Sequence, residues 1–328
     1  MYSFIVNPIA GNGKAKKIYE SIRHLPILQN KATFYLTEYE GHAKEIVRML
    51  ESNKAKGEPL DILFVIGGDG TVHEVVNALS DQEIRICYIP GGSGNDFARG
   101  IESDKRPKEI IERAILDKDE KTYWLGTYTA DDGITNKFVN SIGFGFDAAV
   151  VNRARKLAIR KLLSVLRLNE FVYLFALLVE LVVYKPLEIS LHLDGKEKTF
   201  KNVLFATVSN QPFMGGGMKI NPDAHNNHED FSVLVVDNIS KWKVFFLFGT
   251  VFFGKHTAYK EVYTFKTKEV TVRAHQRIPY QVDGEYGKLK AASIRKFPQP
   301  LYIKGAKKKQ PSEWTLAALM QFHLVDHA

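Results

Sequence analysis

The 328-residue chain has one cysteine, so no disulfide can form within it. Cys87 lies inside "IRICYIP", an apolar run where a thiol packs as a small hydrophobe and not as a nucleophile. Long hydrophobic runs are missing too. "FVYLFALLVELVVY" (171–184) is interrupted by Glu180 and "VFFLFGTVFF" spans only 244–253, whereas a spanning helix takes about 20 apolar residues. Both are expected to be core helices that at most edge a lipid slot. The opening "MYSFIV" has no basic segment before its apolar residues and is not a signal peptide, so a cytoplasmic protein is expected. No GxxxxGK[ST] occurs, because "GNGKAKK" lacks a hydroxyl residue after Gly13-Lys14, and the His-Arg-Asp and Asp-Phe-Gly elements of protein kinases are absent. There is no internal repeat or low-complexity tract.

A composition of 45% hydrophobic and 25% charged residues is that of a globular protein, and the length suits two domains with separate cores. The formal net charge of +8 calls for an acidic partner: nucleotide, nucleic acid or anionic lipid surface. The aromatics follow core periodicity and form no stacking platform, which argues against nucleic acid.

The first part alternates strand and helix. "YSFIVN", "KATFYLT", "DILFVIG" and "IRICYIP" read as strands; a helix from about Lys14, "HAKEIVRMLES", the run after Gly70 and "PKEIIERAIL" read as helices. This predicts an α/β, doubly wound parallel-sheet nucleotide domain over residues 1–125. Ligands of such sheets sit at the carboxyl ends of strands. Three glycine turns fall there: "NPIAGNG" (7–13), "GGDGT" (67–71) and "GGSGND" (91–96).

In "DILFVIGGDGTVHEVVNAL" (61–79), a strand with no polar face runs into a helix with Val72, Val75, Val76 and Leu79 on one stripe, and Thr71 is expected as its cap. Glycines 67, 68 and 70 free several N–H groups to converge on a phosphate. The carboxylate of Asp69 would repel that phosphate unless a cation lies between them. The turn by itself leaves both nucleotide binding and a plain structural corner open.

Beyond Tyr123 the strands "LEISLHL", "KTFKNVLFATVSN", "FSVLVVDN", "EVTVRAH" and "PYQVDGE" follow one another with few helices, and Asp194-Gly195 marks a hairpin. A mostly antiparallel β-sandwich domain is predicted for 126–304, with a cleft between it and the glycine turns. Residues 305–328 read as a basic, amphipathic tail in which Ser312 is expected to cap a short helix, either packed or frayed at the terminus or set against a lipid interface or a partner.

Four elements in order, "NPIAG", "GGDGTVHEVVNAL", "IPGGSGNDFAR" and "VDGEYG" (282–287), make the chain similar to the bacterial soluble diacylglycerol kinase and lipid kinase family, whose catalytic domain is shared with sphingosine and ceramide kinases. The resemblance spans roughly residues 2–304 and implies ATP and Mg²⁺ as cofactors and a lipid hydroxyl as acceptor. It assigns Asn7, Gly11 and Thr37 to the nucleotide pocket, together with Ser93 and Asn95. Gly67, Gly68, Asp69, Gly70 and Thr71 would cradle the phosphates, and Asp69 and Asp96 would organise Mg²⁺. The general base falls to Asp283 or Glu285, without a choice between them.

Two positions depart from that pattern. Trp124 in "YWLGT" stands where the family has a carboxylate of the Mg²⁺ network, and His228 in "NPDAHNNHEDF" replaces a carboxylate ligand of a structural Mg²⁺. His225-x-x-His228 with Asp230 raises zinc as an alternative to an exposed polar loop. "RARKLAIRKLLSVLRL" (153–168) is a basic amphipathic stretch suited either to an anionic membrane or to packing on the sandwich. "FMGGGMKINPDA" (213–224) is read as a flexible edge of the cleft or a plain surface loop. The expected partners are a lipid substrate and an anionic membrane inner face, with a homodimer left open. The rivals are a nucleotide- or lipid-binding regulator without turnover and an NAD kinase, the latter disfavoured by "VDGEYG".

Overall fold

The computed structural model describes residues 1–103, 106–156 and 169–306. In the first unit β1 (Tyr2–Val6), α1 (Ala10–Ile22), β2 (Ala32–Leu36), α2 (His42–Ala55), β3 (Ile62–Gly67), α3 (Asp69–Ala78), β4 (Arg85–Pro90), α4 (Asp96–Gly100), α5 (Pro107–Leu116) and β5 (Lys121–Tyr123) follow in order. Strands β2, β1, β3 and β4 lie side by side and parallel. β3 is buried along its whole length because successive side chains enter two different cores. Leu63 and Val65 join Val72, Val75 and Val76 of α3 and Ile46 of α2 on one face; Ile62, Phe64 and Ile66 join Ile18 of α1 and Ile110 of α5 on the other. A strand with no polar face is therefore a strand covered by helices on both sides.

The second unit contains β6 (Gly126–Ala130), β7 (Thr135–Phe138), β8 (Ser141–Gly145), α6 (Phe146–Lys156), a helix at Asn169–Val183, β9 (Leu187–Leu193), β10 (Lys196–Ser209), the short β11 (Phe213–Met214) and β12 (Met218–Lys219), β13 (Phe231–Asp237), a helix at Lys241–Val251, β14 (Val262–Thr267), β15 (Glu269–Val282) and β16 (Glu285–Lys296). Nine of the strands form one antiparallel sheet. The long strands β10 and β15 are bridged at one end by β9 and at the other by β8, around a core that includes Phe138, Phe144, Phe231, Val235 and Ile294.

Two strands differ from the sequence reading. "EVTVRAH" and "PYQVDGE" are one strand, β15, whose register shifts between Arg273 and Ile278; the irregularity breaks the alternation and makes one strand look like two. The chain then returns: β17 (Leu301–Ile303) inserts between β4 and β5 of the first sheet, so its last described strand belongs to the first unit and not to the sandwich.

The two apolar runs expected as core helices are only partly so. Ala176, Glu180 and Leu181 are buried, but Phe175, Leu178, Val182 and Val183 are exposed, as are Phe245, Phe246, Phe252 and Phe253. Each helix carries apolar residues on more than one side, while only one side of it has a core to face. No helix among the described residues is long and apolar enough to cross a membrane. The basic stretch beyond Lys156 and the tail from 307, with the cap expected at Ser312, lie outside the described residues.

Candidate active site

The three glycine turns meet at the carboxyl edge of the parallel sheet, packed backbone to backbone. A Cβ on Gly11, which has φ +57°, would lie 2.3 Å from the Gly91 carbonyl oxygen. One on Gly92 would lie 2.5 Å from Gly68 Cα, and one on Gly67 would lie 2.5 Å from Thr71 Oγ1. Close approach requires glycine at positions 67 and 92, and both close approach and a positive φ require it at position 11. The Gly91 N–H donates to the Gly67 carbonyl at 2.8 Å, extending the β3–β4 ladder into the turns.

Side chains lock the same corner. Asn7 Nδ2 donates to Thr71 Oγ1 at 3.1 Å, while Asn7 Oδ1 is buried and finds no hydrogen-bond donor. A ligand N–H or O–H would satisfy it. Asn95 is left-handed at φ +54°. It closes its own loop, accepting from Gly92 N–H at 2.9 Å and from the Tyr88 hydroxyl at 3.1 Å and donating to the Gly92 carbonyl at 2.7 Å. Ser93 is exposed at the lip, and Thr37 follows β2, its N–H on the Val6 carbonyl. Thr71 is not the helix cap that the sequence suggests. Gly68 occupies that position with extended backbone and no side-chain cap, and Thr71 sits buried in the first helical turn.

The Asp69 carboxylate is engaged by another of the three turns. Its two carboxylate oxygens accept the N–H groups of Asp96 and Phe97 at 3.2 and 2.9 Å, so the residue caps α4. Asp96 accepts from Arg99 at 3.1 Å and from the Gly216 N–H at 2.8 Å. Burial, and then the nearby Asp96 charge, push the Asp69 carboxyl up to about 6; burial also raises Asp96. The two carboxylates flank Gly94, where a Cβ would lie 3.0 Å from Asp69 Oδ2 and 3.9 Å from Asp96 Oδ2. Two buried like charges so close together are a pair whose repulsion a divalent cation bound through its own waters would relieve. Among the described residues no cluster of three or more His, Cys, Asp or Glu forms a metal cage.

The second unit reaches this corner through the turn between β15 and β16, where the sequence left Asp283 and Glu285 equivalent. They are not equivalent in the structure. The Asp283 side chain is 1% exposed. It accepts the N–H groups of Val139, Asn140 and Ser141 at 2.8, 2.8 and 3.3 Å and meets His73 Nδ1 at 3.0 Å. His73 lies one turn along α3 from Asp69. Asp283 is thus a positioning residue that ties the sandwich to the phosphate-side helix. Glu285 is 43% exposed, and among the described residues its carboxylate has Arg155, at 2.6 Å, as its ionic partner.

Sequence reasoning missed His73 and Gln211, and it left the 213–224 loop open between a cleft edge and a plain surface loop; the structure places that loop at the junction of the two units. The three glycines at 215–217 all have positive φ, and their loop supplies the Gly216 contact to Asp96. Buried Gln211 bonds to Asn140 at 3.0 Å and to both backbone groups of Phe213, holding that loop in place. Polar "SNQ" directly after an apolar strand, and His73 in the middle of an apolar helix, were the available signals.

The two departures from the family pattern are in contact. The Trp124 and His228 rings lie 5.4 Å apart, and Asn226 accepts the Trp124 N–H at 2.7 Å and donates to its carbonyl at 2.8 Å. An amide clasp and a ring pair hold this loop. Asp230 accepts from Asn227 at 2.9 Å, and zinc ligation by His225, His228 and Asp230 finds no support in the geometry.

An α/β sheet whose glycine turns meet at its carboxyl edge, clamped to a β-rich domain through Asp283 and Gly216, is an arrangement suited to binding phosphate groups. Residues 1–127 match the diacylglycerol kinase catalytic domain, and residues 140–304 match the YegS C-terminal NAD kinase beta sandwich-like domain. The chain is 35% identical over 310 residues to "Putative lipid kinase YtlR" of Bacillus subtilis (strain 168), covering 92% of this chain and 98% of that one. It is 30% identical over 301 residues to a diacylglycerol kinase of Mycobacterium tuberculosis (strain H37Rv), covering 91% and 93%. A crystal structure of a diacylglycerol kinase from Bacillus anthracis str. Sterne shares the fold, with a TM-score of 0.66 at 18% identity over 92% of this chain and 95% of that one. The chain belongs to the diacylglycerol kinase catalytic-domain family, and its kinship is with lipid kinases.

Proposed function

We propose that the protein transfers the γ-phosphate of ATP to the hydroxyl of a diacylglycerol-like lipid at a membrane surface. The observation that carries this reading is the division of labour in the β15–β16 turn: Asp283 is fully engaged in anchoring the turn to α3, which leaves Glu285 with a carboxylate able to take a proton. The backbone donors of the three turns bind the phosphates, and the buried, unpartnered Asn7 Oδ1 accepts from the nucleotide. The lipid oxygen attacks the γ-phosphorus, the bond to the bridging oxygen of ADP breaks, and the hydroxyl proton passes to Glu285. Arg155 orients that carboxylate; the pair is solvent-exposed and cheap to open. Asp69 and Asp96 would hold Mg²⁺ through its waters, and the ion would neutralise phosphate charge.

The test is transfer of labelled γ-phosphate from Mg-ATP to an extract of membrane lipids, beside Glu285→Gln. A labelled lipid with the unmodified protein alone supports the kinase. ATP bound without any labelled lipid favours the regulator.

A further inference from the structure

The helix Lys241–Val251 and the turn after it do not look like a finished protein surface. Trp242 is 78% exposed, and Phe246 and Phe253 are each 75% exposed, with Phe245 and Phe252 open beside them. The neighbouring Asn169–Val183 helix adds Val182, 71% exposed, and Val183 to the same side; Lys241 Nζ donates to the Val182 carbonyl and joins the two helix ends. Scattered exposed apolar residues need no explanation, but a cluster of this kind, dominated by rings, does.

Charge identifies the occupant. From Asn238 to Lys260 the chain carries Lys241, Lys243, Lys255 and Lys260 and no carboxylate. Lys243 is taken by Glu261 at 2.7 Å, a carboxylate that Lys260 also stabilises through space, while Lys255 and Lys260 are exposed and make no ion pair within 4 Å among the described residues. Tryptophan and phenylalanine rimmed by lysines fit the boundary between lipid headgroups and acyl chains. A second copy of the chain fits poorly, because a two-fold contact would set the lysine rim against itself.

The face is also joined to the site. Gly254, directly after the rings, lies so close to Pro222 that a Cβ would sit 2.9 Å from its side chain, and buried His256 donates Nε2–H to the Ile220 carbonyl at 2.8 Å. The same 213–224 loop reaches Asp96 through Gly216 at 2.8 Å.

We infer that the Trp242–Phe253 aromatic face is the surface by which this protein docks on an anionic lipid bilayer. The inference rests on the lipid-kinase reading only for the location of the substrate. Sedimentation of the full chain with vesicles of phosphatidylcholine containing phosphatidylglycerol reads docking without turnover. Phosphorylation of a short-chain, water-soluble diacylglycerol reads the kinase without docking. Wild type is expected to sediment with these vesicles, and Phe246→Glu with Phe253→Glu to bind about tenfold or more weakly. Lys255→Ala and Lys260→Ala are each expected to cost about fivefold on the anionic vesicles and little on phosphatidylcholine alone. Because all four side chains are exposed, their variants should fold and treat the soluble lipid as wild type does. Loss of sedimentation in the aromatic variants supports docking whether or not the soluble lipid is phosphorylated. Equal sedimentation of wild type and the aromatic variants overturns it, as does binding that disappears only when the basic stretch 153–168 is neutralised. A wild type that ignores vesicles but dimerises through Phe246 and Phe253 in light scattering also overturns it.

Discussion

Replacing Asp283 by Ala and Glu285 by Gln should separate two carboxylates two residues apart. The Asp283 carboxylate receives three backbone N–H groups and the His73 ring from a position 1% exposed. Removing it strands those donors, at about 1–3 kcal/mol for each one left without water. With partial rehydration the loss comes to about 4 kcal/mol, or about 6 °C in Tm for a chain of this length. Alanine also holds the left-handed φ of 49° less readily than Asp. Glu285→Gln breaks only an exposed ion pair and should change stability by less than about 0.5 kcal/mol. Its phosphoryl transfer, however, should fall about 10²- to 10⁴-fold, the range that a general base supplies. Thermal melts and labelled-ATP transfer on both variants read the two effects separately. An Asp283→Ala protein that melts with the wild type refutes the anchoring role. A Glu285→Gln protein within about threefold of wild-type turnover refutes the base.

Gly92→Ala places a methyl 2.5 Å from Gly68 Cα, and since neither backbone can yield without opening the corner, ATP affinity measured by calorimetry should drop about tenfold or more. Burial pushes the Asp147 carboxyl up to about 6, and its Oδ1 is buried without a partner. Its folded pKa is raised, so its contribution is complete below the unfolded value near 4 and is lost as pH rises through about 6. Asp147→Asn, which keeps the uncharged form, should therefore match wild type at pH 4 and exceed it at pH 8 by up to about 3 kcal/mol in urea titrations. Asn226→Ala removes both bonds to the Trp124 backbone and should cost about 1–2 kcal/mol. A chelator alone should leave Tm unchanged at this loop.

The α/β half was legible because its physics is local. β-branched runs without a polar face, followed by glycines and amphipathic helices, specify covered parallel strands, and Ile62–Gly67 alternates between two cores as that pattern requires. The glycine turns were legible for the same reason. Asp69 was noticed as an anomaly, but not for what the structure shows of it: its oxygens cap a helix 27 residues away in sequence, and no local pattern encodes that.

What the chain alone determined is the order of elements, the three turns and the acidic pair near the end. Tertiary structure decided which acid is buried as an anchor and which lies exposed, since that depends on Val139 and His73, remote in sequence, arriving at one carboxylate. It brought Trp124 against His228, turning two isolated departures into one contact. It returned Leu301–Ile303 to the first sheet, and it left the rings of 242–253 facing outward. Hydrophobicity along a sequence states how much apolar surface a helix has; only the packing of neighbours states how much of it is covered.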